Sequence, residues 1–157
     1  LYKFFGSKEE VYYIIILEKM DFIHANLDAE LNQRPVGLAQ IRVLIEASLR
    51  FFQEHREFFK IFIQERGRLE SSVGAALAEE AKNKYLTTIT IFEKAMERAI
   101  QKGDLQPLNP QDLAYALVGI LNSFSQHSIL FPKRGDLLSK VTFIQDLFLE
   151  GTLKRYS

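Results

Sequence analysis

The three histidines, His24, His55 and His127, are the side chains best suited to bind a transition metal, and their spacing speaks against it. They lie far apart, and none belongs to an H-x-x-x-H or H-E-x-x-H pair, which would set two imidazoles on one helical face. A shared ion would need a site assembled from three separate helices. Surface or core histidines are the simpler reading, and no metal is expected. His55 falls at the end of a predicted helix, where a partial positive charge is favourable without further purpose. The chain contains no cysteine, which removes thiolate nucleophiles, disulfides and cysteine-based zinc sites. It has no glycine-rich phosphate loop and no G-x-S-x-G elbow. Carboxylates are plentiful but fall on faces that read as solvated, with no two marked as a buried acid–base pair. No catalytic function and no cofactor are expected.

The other chemistry open to these residues is non-covalent. Phenylalanine occurs 13 times, and Phe51, Phe52, Phe58, Phe59 and Phe62 cluster in sequence. Each ring buries a large apolar area. Any one of them can be plain core. Together they can also wall an apolar pocket in which a few polar groups orient a ligand. Ser48, Tyr85, Asn122, Ser123 and Gln126 are polar residues on otherwise apolar faces.

These residues must be positioned by helices. Apolar residues recur at three and four rather than at two, and strand signals are almost absent. Ser7-Lys8-Glu9-Glu10 is a capping box opening a helix that runs to about Asn32, ended by Pro35 and Gly37. A second helix is predicted from about Leu38 to Glu54. A shorter third covers about Glu57 to Glu65, with Gly67 as its cap. A fourth begins between Leu69 and Val73 and ends at Lys102, before Gly103. It is expected to carry an exposed Glu80–Lys84 pair. Asn109, Pro110 and Asp112 start the fifth, which runs to about Phe131. Asp136 caps the last, which carries Leu137, Val141, Ile144, Phe148 and Leu153.

Length and charge add bounds. The 157 residues suffice for one domain with a sizeable core. Lysine plus arginine equals aspartate plus glutamate at 20 each, so this segment has no bulk electrostatic attraction to nucleic acid or anionic membrane. The longest apolar run, Val11 to Leu17, is far short of the roughly 20 residues of a membrane span. No secretory signal is seen, and a cytoplasmic location is expected. The first residue is Leu1, so the chain is expected to be a fragment, or to lack its first part.

The fifth helix reads Leu113-Ala114-Tyr115-Ala116-Leu117-Val118-Gly119-Ile120-Leu121, with scarcely a charge after Asp112. A helix apolar almost all round is covered on several sides. It is either the central helix of a monomer's core or a helix packed on both its own core and a partner subunit. Gly119, which costs about 1 kcal/mol against alanine in a helix interior, is tolerable where another helix comes close.

The first eleven residues, Leu1-Tyr2-Lys3-Phe4-Phe5-Gly6-Ser7-Lys8-Glu9-Glu10-Val11, resemble the signature that closes the helix-turn-helix of TetR-family regulators. An aromatic helix end, a turn and a lysine-bearing capping box occur together. Phe51 to Phe58, Asn109 to Phe131 and Asp136 to Leu153 resemble later parts of the family's pattern in a more general way. The resemblance implies an all-α, TetR-like C-terminal helical bundle of about six helices, the last two forming a dimeric four-helix bundle. Residues 1–6 would be the end of the recognition helix and residues 7–157 the ligand-binding and dimerisation domain. It also implies that Tyr2 and Lys8 contact DNA phosphates, while the base-reading residues would precede Leu1.

The expected function is that of a homodimeric repressor, released from operator DNA by a small lipophilic or aromatic effector. Phe22, Ser48, Phe52, Phe62, Tyr85, Ile89, Phe92, Asn122 and Gln126 are expected in the pocket. Tyr115, Gly119, Ile120, Ser123, Phe124, Ile144, Leu147 and Phe148 are expected in the dimer interface. The competing reading is a non-regulatory helical module that binds an apolar ligand or a protein helix. An all-α enzyme is more distant.

Overall fold

A computed structural model describes residues 6–152, the Ser72 side chain aside. Tyr2, the rest of residues 1–5 and Leu153 lie outside the described residues. The described chain is all-α, with six helices: α1 (Lys8–Asn32), α2 (Leu38–Glu54), α3 (Arg56–Ser72), α4 (Ala75–Lys102), α5 (Pro110–Leu130) and α6 (Val141–Thr152). Short 3-10 turns at Pro132–Arg134 and Leu137–Lys140 join α5 to α6.

The predicted caps are local chemistry, and most form as expected. The Ser7 hydroxyl accepts from the Glu10 amide at 3.1 Å. The Asn109 side-chain Oδ1 accepts from the amides of Gln111 and Asp112, and Pro110 takes a position where a missing N–H costs nothing. Gly103 adopts φ +89°, and the amide of Asp104 reaches back to the Ala99 carbonyl at 3.0 Å. This is the left-handed ending that glycine permits at a helix C-terminus. It turns the chain so that α5 returns antiparallel along α4.

Three local expectations change. Gly67 does not end α3, which continues one and a half turns further to Ser72. Leu69, in that extension, is buried against Tyr13 and Ile16, and the ion pairs Arg66–Glu70 and Arg68–Glu65 brace the same turns. Tertiary burial outweighs the propensity penalty of one glycine. Consequently α4 begins at Ala75, past Gly74. Asp136 caps a 3-10 turn rather than α6 itself. Lys84 pairs not with Glu80 on its own helix but with Asp21 on α1.

Buried apolar side chains form two clusters. The larger unites the second half of α1 with α2, α4, α5 and α6, around Leu27, Ile41, Leu44, Phe92, Met96, Leu117 and Ile144. The smaller joins the first half of α1 to α3, through Tyr13, Ile16 and Leu69 with Phe58, Phe62, Leu77 and Ala81 packed on it. Helix α1 therefore belongs to both. It runs parallel to α4, with Ile16 beside Leu77 and Ala81, Asp21 on Lys84, and His24 on Thr88.

Candidate ligand cavity and subunit face

Between the two apolar clusters the helices leave a cavity of about 680 Å³. That is within the usual range for small-molecule sites, roughly 300–1,000 Å³. Five helices wall it. From α1 come Tyr13, Ile16, Met20, Ile23 and Leu27, at alternating steps of three and four, which is one face of a helix. Ser48, Phe51 and Phe52 come from α2, and Phe59, Phe62, Ile63, Arg66 and Glu70 from α3. Ala78, Ala81, Lys82, Tyr85, Thr88 and Phe92 come from α4. Val118, Leu121, Asn122, Ser125, Gln126 and Ile129 come from α5. The lining positions of α1 and of α4 each span fourteen residues, so the cavity is about 20 Å long at the helical rise.

Its two ends differ. Leu27 and Phe92, each about 1% exposed, lie in the main core and close the inner end. Tyr13, Ala78 and Lys82 mark the outer end, where α3 contributes Arg66 and Glu70. Burial pushes the Tyr13 phenol above its ordinary range; the nearby Glu70 carboxylate adds to this and Arg66 opposes it.

The expected pocket residues Ser48, Phe52, Phe62, Tyr85, Phe92, Asn122 and Gln126 all line this cavity. Phe22 and Ile89 do not. Phe22 stands one position, or about 100°, away from the lining residue Ile23. It is 58% exposed, with its ring 6.1 Å from that of Phe51. Ile89 is likewise one position past Thr88 and is buried in the main core. Sequence reasoning placed both on the right helices but one step off the right face. It missed Arg66, Glu70 and Thr88, polar residues that reach the cavity only through the packing of α1, α3 and α4. It also missed Ser125, whose buried hydroxyl has no hydrogen-bond partner among the described residues.

Polar contacts tie the cavity wall to α1. His24 Nε2 lies 2.7 Å from Thr88 Oγ1, and the Thr88 hydroxyl donates to the Lys84 carbonyl at 3.3 Å. With that hydroxyl proton spent on the Lys84 carbonyl, His24 donates to Thr88 through its Nε2–H. Burial lowers the His24 pKa, partly countered by Asp21, with Lys84 lowering it further and Asp28 opposing. The folded state therefore favours neutral His24. The unfolded chain binds more protons in the window below the ordinary imidazole value of 6.5, so stability is lost as pH falls through that window. Replacing His24 by glutamine, which keeps a donor for Thr88, is expected to flatten this acid-side loss in urea titrations between pH 7 and pH 5. An unchanged slope would remove His24 as its source.

Nearer its N-terminus α1 is gripped by α3. The Tyr12 hydroxyl donates to the Phe58 carbonyl at 2.9 Å, and the two rings stack at 5.0 Å. Glu9 pairs with Arg68 at 3.5 Å, and Lys19 sits over the Phe58 ring. One edge of α3 thus holds α1 while its other face lines the cavity. Lys8 is exposed in the first turn of α1.

A second surface lies on α5 and α6. Tyr115, Gly119 and Ser123 are exposed along one side of α5, with Ile120 and Phe124 half-buried beside them. On α6, Leu147 and Phe143 are more than half exposed, and Phe143 stands 6.1 Å from Phe124. Ile144 and Phe148, expected in the subunit interface, are instead buried in the chain's own core. Leu147, also expected there, does face outward, together with Phe143, which the sequence reading did not name. A Cβ at Gly119 would meet no atom within 4 Å.

Among the described residues no group of three histidine or acidic side chains is arranged to hold a metal ion. No helix among them is long and apolar enough to cross a membrane.

The chain's fold recurs in solved structures. The fatty acid degradation regulator FadR from Bacillus halodurans is 18% identical, with a TM-score of 0.78 over 96% of this chain and 79% of that one. FadR from Bacillus subtilis, solved in complex with stearoyl-CoA, is 14% identical, with a TM-score of 0.79 over 96% and 79%. The MbdR regulator from Azoarcus sp. CIB is 14% identical, with a TM-score of 0.81 over 98% and 81%. No curated protein sequence matches. The model of the tetracyclin repressor-like C-terminal domain matches residues 36–126, more than half of the chain. With its helical architecture and its cavity, the chain belongs to the TetR family of transcriptional regulators, as a C-terminal ligand-binding domain of that family.

Proposed function

We propose that this domain is the regulatory body of a homodimeric repressor whose operator affinity is lowered by a small lipophilic effector held between α1 and α5. The observation that carries the reading is the elongated cavity itself. Its walls are mostly aromatic and aliphatic, and one of them is α1, the helix that on the resemblance of residues 1–11 leads back to a DNA-binding head. A cavity about 20 Å long suits a chain-like or extended aromatic molecule better than a compact one. The stearoyl-CoA held by FadR of Bacillus subtilis is a molecule of this kind. Family membership favours this reading over a helical module without a regulatory role.

The gating step follows from the connections of α1. A ligand that separates α3 from α4 displaces Phe59 and Phe62, and α3 is bound to the head-proximal part of α1 through Tyr12 and Glu9. A shift there changes the spacing of two heads, which must match major grooves about one helical turn apart. The effector works only if it binds the two geometries with different affinity. Tyr2 and Lys8 are proposed to touch phosphates, which position the heads without specifying sequence. The twofold partner is proposed to cover Tyr115, Gly119 and Ser123 of α5 with Phe143 and Leu147 of α6, giving a four-helix bundle. The location proposed is the cytoplasm.

Operator binding by the intact dimer, measured with and without long-chain acyl compounds, tests the gating. Asn122→Trp, which puts an indole into the cavity, is expected to weaken effector binding by at least about tenfold, equivalent to about 1.4 kcal/mol. DNA affinity without effector should stay within a factor of about three, since Asn122 lies on α5 and takes no part in the Tyr12 and Glu9 contacts between α1 and α3. Operator affinity indifferent to every compound that fills the cavity would end this reading.

A further inference from the structure

The outer end of the cavity is charged, and its charge is unbalanced. Arg66 on α3 and Lys82 on α4 both line it, and Glu70 is the one carboxylate among the lining residues. Arg66 meets Glu70 through Nε at 2.8 Å, which leaves both terminal amines of the guanidinium without a partner among the described residues. Lys82 makes no ion pair or hydrogen bond among the described residues. Inward from these groups the polar wall residues are uncharged: Tyr85, Thr88, Asn122, Gln126, Ser125 and Ser48. The inner end is closed by Leu27 and Phe92. Two cations from different helices therefore stand at one end of a long apolar channel, and no cation lines the other.

We infer that the effector is an anionic amphiphile bound in one direction, its negative group between Arg66 and Lys82 and its apolar end against Leu27 and Phe92. This deepens the proposed effector site and rests on that reading. A carboxylate or phosphate placed there would take the free terminal amines of Arg66 and the ammonium of Lys82, both charge-assisted donors. The guanidinium's planar fork suits such a group even while Nε stays on Glu70. The reverse orientation would bury the charge among apolar side chains with no counter-ion, which is strongly unfavourable. A cationic amphiphile would meet two like charges against the single Glu70.

The test compares three twelve-carbon probes below their micelle concentrations: dodecanoate, dodecanol and dodecyltrimethylammonium. Each competes with a fluorescent apolar dye for the purified chain. Dodecanoate is expected to bind about tenfold or more tighter than the ammonium probe, with dodecanol between them, a span set by two partly screened charges. Added salt should compress the order, because the charges are near solvent. Arg66→Gln with Lys82→Gln leaves Glu70 as the one charge at that end, so the preference for dodecanoate over the ammonium probe should be lost or reversed. Glu70→Gln should widen it. If the ammonium probe equals or exceeds dodecanoate, or the double variant keeps the order, the anionic assignment is overturned while the cavity reading stands on dodecanol binding. If no probe displaces the dye, the cavity reading fails and takes this inference with it.

Discussion

Gly119→Arg is expected to turn the proposed dimer into a monomer without harming the fold of the single chain. Within one chain a Cβ at this position meets nothing, so an arginine side chain has room. Replacing glycine inside α5 also relieves about 1 kcal/mol of helix penalty. Across the proposed twofold, however, two long cations would be forced together where α5 helices must approach closely. Burying like charges there costs far more than the helix gains. Sedimentation at micromolar concentration should show a dimer for the natural sequence and a monomer for the variant, with helical circular dichroism retained. Leu147→Asp should do the same, since Leu147 is more than half exposed in the single chain. Ile144→Ala should instead destabilise the subunit itself, by about 2–5 kcal/mol, because Ile144 is fully buried in its core. A Gly119→Arg protein that still sediments as a dimer would place the interface elsewhere.

Phe92→Ala is expected to have the largest effect on stability, a loss of about 3–5 kcal/mol. The ring is about 1% exposed and sits where the main core meets the inner end of the cavity. Its removal deletes a large apolar contact and joins new empty volume to a cavity already present, so the surroundings have little to collapse onto. Phe22→Ala provides the contrast. Its ring is mostly exposed, and the change should cost no more than about 0.5 kcal/mol. Urea unfolding at one fixed protein concentration distinguishes the two, the concentration being held because the proposed association of two chains would add to apparent stability. Equal losses for both variants would contradict the difference in burial between Phe92 and Phe22.

This contrast also shows how far the sequence could be read. Helix count and class were legible because the three-and-four apolar repeat is a property of each helix alone. The Ser7, Asn109 and Gly103 signals marked the ends of α1, α5 and α4 because capping is a contact between near neighbours in the chain. Gly67 misled because its effect depends on Leu69 finding Tyr13 and Ile16, more than fifty residues away. The same held for Lys84, whose partner is set by the parallel packing of α4 on α1.

The candidate site divides along the same line. Ser48, Phe52, Phe62, Tyr85, Phe92, Asn122 and Gln126 were identifiable as aromatic or isolated polar residues on apolar faces. Phe22, Ile89, Ile144 and Phe148 were assigned one position off. A broad apolar stripe covers more than 100° of a helix, and hydrophobicity alone cannot divide that arc between core, cavity and outer surface. By itself the sequence determined that the chain forms amphipathic helices, where most of them begin and end, and which family its opening residues resemble. Only the tertiary structure decided which face each helix turns inward. It left two apolar clusters joined by α1 with a gap between them, and it brought Arg66 and Lys82 from separate helices to one end of that gap. Local hydrogen bonds and propensities are written along the chain, whereas a cavity exists only in the space that several packed helices fail to fill.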